Sequence, residues 1–387
     1  PAAPPRPPRP RPPPPPRPGR APAPPGAARA PADRPGAPTA RPTARRTSRT
    51  GARRGVGHAG GTAECSDPTR ESDVALPGPT PAHRATDLLA PDGAPVPVRR
   101  RALGVNTWVW TSPLTDDALR GIAPRVAGWG FDVLELPVEN PGDWDPATAA
   151  AVLADHGLAA SVSLVMGEGR ELVATDAATV RATQDYLRHV VDVARTVGAP
   201  VIGGPAYASV GRTWRLGPAE REATYEELAE HLAPVVEHAV AAGVVVGLEP
   251  LNRYETSLVN TVDQGLEVVR RLPAAGIGLM LDVYHMNIEE TDLPAAVTRA
   301  GERIAHVQVC GNDRGAPGTD HLDWRGLLAA LDATGYDGPL VIESFTAENA
   351  TIATAASIWR PLAPTQDAIA VDGLAYLKGL MPEPEST

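Results

Sequence analysis

Cysteine is almost missing from this 387-residue chain, where Cys65 and Cys310 are the only two. One falls in an irregular stretch and the other in a predicted strand. No disulfide framework and no cysteine-based zinc site can be built from them, and two reduced thiols are expected. Long apolar runs are also missing. No stretch reaches the ~18 residues of a membrane span, and the first residues contain no apolar signal core, so a cytoplasmic protein with no membrane partner is expected. A third absence concerns phosphate. The first predicted strand runs into Gly104-Val105-Asn106-Thr107, not into a G-x-G-x-x-G turn, which weakens the case for a doubly wound dinucleotide-binding sheet.

Proline, in contrast, is plentiful and unevenly spread, with 26 of the 44 prolines in residues 1–100. From Pro1 to Arg54 the chain is nearly all Pro, Arg, Ala and Gly. Such a segment buries too little apolar surface to offset the entropy of ordering it, so residues 1–100 are expected to form a disordered arm and residues 101–387 the catalytic domain. A proline- and arginine-biased upstream coding region explains the arm more simply than a nucleic-acid-binding role does. Charge divides at the same place. The arm carries 17 Lys+Arg against 7 Asp+Glu while the whole chain is at −10, which leaves the remainder near −20. An acidic domain lacks the clustered Lys and Arg that phosphate contacts require, so the expected ligand is small and either neutral or held through a metal, with no nucleic-acid partner.

Beyond Leu103, short Val-, Ile- and Leu-rich runs alternate with longer amphipathic segments, the pattern of βα units around a parallel sheet. Strands are predicted at 103–108, 133–137, 159–164, 200–203, 244–249, 277–282, 304–309 and 340–343. Helices are predicted at 116–129, 146–155, 178–197, 218–242, 262–271, 293–300, 324–333 and 366–380. Eight units close a (β/α)₈ TIM barrel. Glu249, Asp282 and Glu343 each end an apolar run, and in such barrels the carboxyl ends of the strands face the active site.

The fifth strand leads into Glu249-Pro250-Leu251-Asn252-Arg253-Tyr254-Glu255 and the sixth into Asp282-Val283-Tyr284-His285-Met286. In the seventh, period two puts His306 and Gln308 on one face, ahead of Asn312-Asp313-Arg314. Three carboxylates converging on one side of a barrel mouth repel one another unless a cation sits among them. The oxygen-rich set Glu249, Asp282, Gln308 and Glu343 suits one divalent ion, Mn²⁺ first, with Mg²⁺ and Co²⁺ as alternatives.

These segments, together with Gly203-Gly204-Pro205-Ala206-Tyr207 and Asn312-Asp313-Arg314-Gly315, resemble the D-tagatose 3-epimerase/D-psicose (allulose) 3-epimerase group of the xylose isomerase-like barrels. The resemblance spans Leu103 to Leu380 and omits the arm. It implies a metal-dependent C3 epimerisation of a free ketose through a cis-enediolate. Glu249, Asp282, Gln308 and Glu343 stand where that group binds its metal, and Glu249 and Glu343 are also its acid/base pair. Glu255, His285 and Arg314 stand where it grips the sugar. A homodimer or homotetramer is likewise implied. One departure stands out: these epimerases carry a histidine where Gln308 lies, whereas the similar hydroxypyruvate isomerases carry a glutamine. An aldose-ketose isomerase of that kind is therefore the alternative, and a non-catalytic barrel with a partner-binding arm ranks below both.

Lesser candidates are Trp108, Trp110 and Trp144, each either a wall of the sugar pocket or ordinary packing. Glu135 either bonds substrate or neutralises an arginine, and His306 belongs to the core more readily than to the ligand set. Residues 168–170 occupy the position of a lid.

Overall fold

The computed structural model describes residues 98–382. The arm expected over residues 1–100, apart from its last three residues, lies outside that range, as does Cys65. In chain order the elements are β1 (Leu103–Asn106), α1 (Asp116–Trp129), β2 (Val133–Val138), α2 (Pro146–Asp155), β3 (Ala159–Leu164), α3 (Ala177–Val197), β4 (Val201–Gly204), α4 (Pro218–Ala242), β5 (Val245–Leu248), α5 (Val262–Val269), β6 (Ile277–Asp282), α6 (Val283–Glu289), α7 (Leu293–Ala300), β7 (Ile304–Val309), α8 (Trp324–Thr334), β8 (Leu340–Ile342), α9 (Ala350–Ala355) and α10 (Gln366–Leu380). All strand pairs are parallel, each strand bonds its successor, and β1 closes on β8. The expected eight-stranded barrel is what the chain forms.

Local chemistry explains the boundaries. Helices start where a short polar side chain can accept from the first free amides: Thr115 caps α1, Asp145 α2, Asp176 α3, Thr261 α5 and Thr365 α10. Several end on glycine in the left-handed region, at Gly130, Gly198, Gly243 and Gly335. Strand β1 stops two residues earlier than the apolar pattern suggests. The Asn106 side chain there accepts from the Trp108 amide and turns residues 107–109 into a single 3₁₀ turn. Two short helices, α6 and α9, were not anticipated.

The strands are buried along nearly their whole length, as expected where helices cover the outside of a parallel sheet. Inside, one sector of the barrel is polar. Asn106 on β1, Glu135 on β2, Ser161 and Ser163 on β3, and His306 and Gln308 on β7 are all buried and linked by hydrogen bonds. Ahead of β1, Val98 is buried and Arg101 binds Asp332 at 2.5 Å and the carbonyl oxygen of Tyr336, which ties residues 98–101 to the α8–β8 end of the barrel. Among the described residues no helix is long and apolar enough to cross a membrane.

Candidate active site

Three acidic side chains reach the same end of the barrel because each follows or ends a strand. Glu249 comes directly after β5, with its amide bonded to the Gly204 carbonyl and its own carbonyl accepting from the Tyr207 hydroxyl. Asp282 is the last residue of β6 and the N-cap of α6: its Oδ1 accepts from the Tyr284 amide at 2.8 Å, leaving Oδ2 free for other partners. Glu343 follows β8 and is anchored through its amide to Val309. Glu249 and Glu343 line a cavity of about 590 Å³, within the ~300–1,000 Å³ of small-molecule sites. Trp108, Leu164, Met166 and Phe345 supply apolar wall, and Ile352 and Ala355 of α9 with Ala356 cover one side.

The charge problem posed by these acids is met in part by the protein itself. The Arg314 guanidinium enters the cluster, with Nη1 2.6 Å from Asp282 Oδ2 and 2.9 Å from Glu343 Oε2. It is clamped between the rings of Tyr284, at 4.1 Å, and Phe345, at 4.9 Å. The Arg314 backbone has φ +68°, a left-handed conformation disfavoured for a side chain of this kind, and the Ser344 hydroxyl holds its carbonyl. Even so, burial pushes the Glu249 carboxyl well above the ordinary range, helped by the charges of Glu343 and Asp282. Burial raises Glu343 too, against the pull of Arg314. One arginine is not enough cation for three buried carboxylates.

His285 lies close by, its Nε2 3.6 Å from both Glu249 Oε1 and Asp282 Oδ2, and ligand atoms of Glu249, Asp282 and His285 fall within 4.8 Å of one another. Distance alone would make it a metal ligand. Its hydrogen bonds argue otherwise. The Asn252 amide donates to Nδ1 at 3.1 Å, so in a neutral ring the proton sits on Nε2, and burial lowers the imidazole pKa and keeps the ring neutral. Nε2–H then faces Arg314 Nη2 at 3.1 Å, one donor against another. An oxygen acceptor placed there satisfies both.

Gln308 does not line the cavity. Its backbone is in register with Asp282, and its Nε2 donates to Glu135 Oε1 at 2.6 Å. The side-chain oxygen, Oε1, is buried and has no hydrogen-bond partner. A buried carbonyl oxygen without a donor is a vacant lone pair, which a cation can fill. The donor set of three carboxylates and this carbonyl oxygen therefore fits a hard divalent ion, and the excess negative charge among them favours one.

Glu255 also lines the cavity, and Asn252 positions it: Asn252 Nδ2 donates to Glu255 Oε1 at 2.8 Å. Asn252 thus orients both Glu255 and His285, a role that sequence reasoning missed because an Asn between two motif residues reads as turn chemistry. Glu135 does not line the cavity and pairs with no arginine among the described residues. It is the centre of the polar sector, and burial, which alone would raise its pKa, is outweighed by His306, Gln308 and Asn106, which bring it to about 2. His306 donates to it at 2.6 Å and is a core residue. Of the three tryptophans only Trp108 lines the cavity; Trp144 is buried and donates to the Pro137 carbonyl, and Trp110 packs on Trp129 and donates to Asp367. Arg170 donates to the carbonyls of Val165 and Glu139 and lies 3.7 Å over the Tyr186 ring, bracing the stretch read as a lid.

Comparison with known proteins agrees with this architecture. Residues 124–378 match the family described as Xylose isomerase-like TIM barrel, and the chain belongs to that family. A ketose 3-epimerase of Arthrobacter globiformis is 32% identical over 281 residues, covering 71% of this chain and 95% of that protein. An L-ribulose 3-epimerase of Methylomonas sp. (strain DH-1) is 30% identical over 282 residues, covering 72% of this chain and 98% of the relative. Among solved structures, a D-allulose 3-epimerase from Methylomonas sp. in complex with D-allulose superposes with a TM-score of 0.66 at 29% identity, covering 73% of this chain and 99% of the other.

Proposed function

We propose that the barrel is an isomerase that inverts C3 of a free ketose, with Glu249 and Glu343 as the acid/base pair. The observation that carries this reading is the presence of two buried glutamates, three strands apart on the barrel rim, both opening onto one cavity beside Asp282 and Arg314. Carboxylates delivered from separate strands approach a bound sugar from different directions. One removes the proton from C3 and the other returns a proton to the opposite side, which is what inversion requires. A single glutamate doing both would instead pass the proton along one face and exchange an aldose with a ketose.

Glu249, Asp282, Gln308 and Glu343 would hold the divalent ion, with Mn²⁺ proposed ahead of Mg²⁺ and Co²⁺. Such an ion supplies Lewis acidity that polarises the ketose carbonyl and makes the neighbouring C–H more acidic. His285 Nε2–H and the Arg314 guanidinium would donate to substrate oxygens, filling the place where the two donors now face each other. Glu255, held by Asn252, would accept from a sugar hydroxyl. The relatives' activities, ketose 3-epimerase and L-ribulose 3-epimerase, support a C3 epimerisation on a small free sugar. An assembly of two or four copies is proposed from the same resemblance, and a place in the cytoplasm from the sparse cysteine and the lack of a long apolar run.

Incubating the metal-stripped protein with D-fructose, D-psicose, D-tagatose or L-ribulose, with and without added Mn²⁺, tests the reading. C3-inverted product is expected only with metal, and in D₂O it should carry deuterium at C3. Aldose formation without C3 inversion would sink the epimerase assignment. Gln308 favours a second reading as a hydroxypyruvate-type isomerase, and turnover of hydroxypyruvate to tartronate semialdehyde in place of ketose epimerisation would establish it.

A further inference from the structure

We propose that Glu135 is a positioning residue: it turns the Gln308 side-chain amide so that the oxygen, not the nitrogen, is the atom free to bind the metal ion. The inference rests on the reading of Gln308 as a ligand and adds the reason why a glutamine can serve there.

An imidazole has lone pairs in defined places, but a primary amide has two ends of nearly equal size, one a donor and the other an acceptor. A glutamine presented to a cation by its –NH₂ end repels it. Something must therefore choose the orientation, and in this barrel the chooser is visible. Glu135 is fully buried, and each of its oxygens accepts two hydrogen bonds. Oε1 takes Gln308 Nε2 at 2.6 Å and Asn106 Nδ2 at 2.9 Å. Oε2 takes His306 Nε2 at 2.6 Å and Ser161 Oγ at 3.0 Å. Four donors from three different strands leave the carboxylate no freedom to rotate. Flipping the Gln308 amide would set its oxygen against that carboxylate and break the bond between the –NH₂ group and Glu135 Oε1. The consequence is already present in the structure: Gln308 Nε2 is satisfied, while Oε1 is buried and without a donor.

Two substitutions separate hydrogen-bond direction from simple charge attraction. Glu135→Asp keeps the charge but withdraws the carboxylate by one methylene from Gln308. Glu135→Gln loses the charge but keeps an acceptor for Gln308, because the Ser161 hydroxyl can accept from the new –NH₂ group and His306 Nε2 can do so once the ring proton sits on Nδ1. Mn²⁺ is titrated calorimetrically into metal-free full-length protein carrying Glu135→Asp, Glu135→Gln, Gln308→Ala, or Glu135→Asp with Gln308→Ala, and the metal-free melting temperature of each is recorded. Glu135→Asp is expected to weaken Mn²⁺ binding about ten-fold or more, in line with other outer-sphere partners of metal ligands, and Glu135→Gln to bind as wild type. In the Gln308→Ala background the Glu135→Asp change should cost nothing further.

Equal losses in Glu135→Asp and Glu135→Gln, or a loss that persists once Gln308 is gone, would overturn the proposal. If Gln308→Ala itself binds Mn²⁺ like wild type, Gln308 is no ligand and both readings fall. If Gln308→Ala weakens binding and Glu135→Asp does not, the positioning role alone is wrong. Should Glu135→Asp not fold, Glu135→Gln decides by itself: retained affinity supports orientation, and lost affinity assigns Glu135 a charge role instead.

Discussion

Glu249 and Glu343 face opposite demands in the folded protein, since the proposed cation would favour their charged forms and burial resists them. Both carboxyls titrate above the ordinary range because burial disfavours their charge, with neighbouring acids adding to the effect. Their contribution to metal-free stability is therefore present below the unfolded carboxyl range and lost as pH rises through the raised folded values. At neutral pH the metal-free Glu249→Gln protein should melt at a higher temperature than metal-free wild type, and a lower melting temperature would show that the carboxylate is not held against its preference. The same shift predicts that metal binding expels protons, so Mn²⁺ affinity should increase with pH, checked by calorimetry in buffers of different ionisation heat. Glu135 has the reverse sign: its stabilisation is lost as pH falls from 4.5 towards about 2. On activity, Glu343→Gln should lower kcat by ~10²–10⁴-fold, the usual value of a positioned acid or base, with the fold intact by circular dichroism. Near-normal turnover would remove Glu343 from the pair.

At the level of elements, β6 and α6 show how far periodicity reaches. The strand was legible from its apolar run. The helix was not, because Asp282 is both the end of the strand and the helix cap, and a seven-residue polar-aromatic stretch carries no clear 3.6 period. Helix α9, over the cavity, is shorter still. Strand β4 carries a constraint of another kind. Gly204 has φ +146°, and a side chain there would meet the Leu164 carbonyl oxygen at 2.8 Å. Gly204→Ala is expected to cost at least ~1–3 kcal/mol of stability, read as a lower denaturation midpoint, and to disturb Glu249, whose amide is bonded to Gly204. An unchanged midpoint would mean that the strand end relaxes freely.

For the whole molecule, the ion is expected to act as a stabilising ligand. Adding Mn²⁺ at one hundred times its dissociation constant should stabilise the metal-free protein by ~2.7 kcal/mol, seen as a rise in melting temperature that chelator reverses. Removal of residues 1–97 should leave both activity and melting temperature unchanged, consistent with the acidic domain holding the chemistry; a fall in either would assign the arm a structural part. What the sequence determined unaided was the order of strands and helices and which acids end which strands, since both follow from local periodicity and from the rule that strand ends face the barrel mouth. Its match to a known group of epimerases came from the same segments. The placement of Arg314 among the carboxylates, the proton on His285 Nε2 and the direction of the Gln308 amide were decided only by the closed barrel. Each depends on a partner dozens of residues away, and pairings of that kind exist only once the sheet has curled shut and brought the far strands face to face.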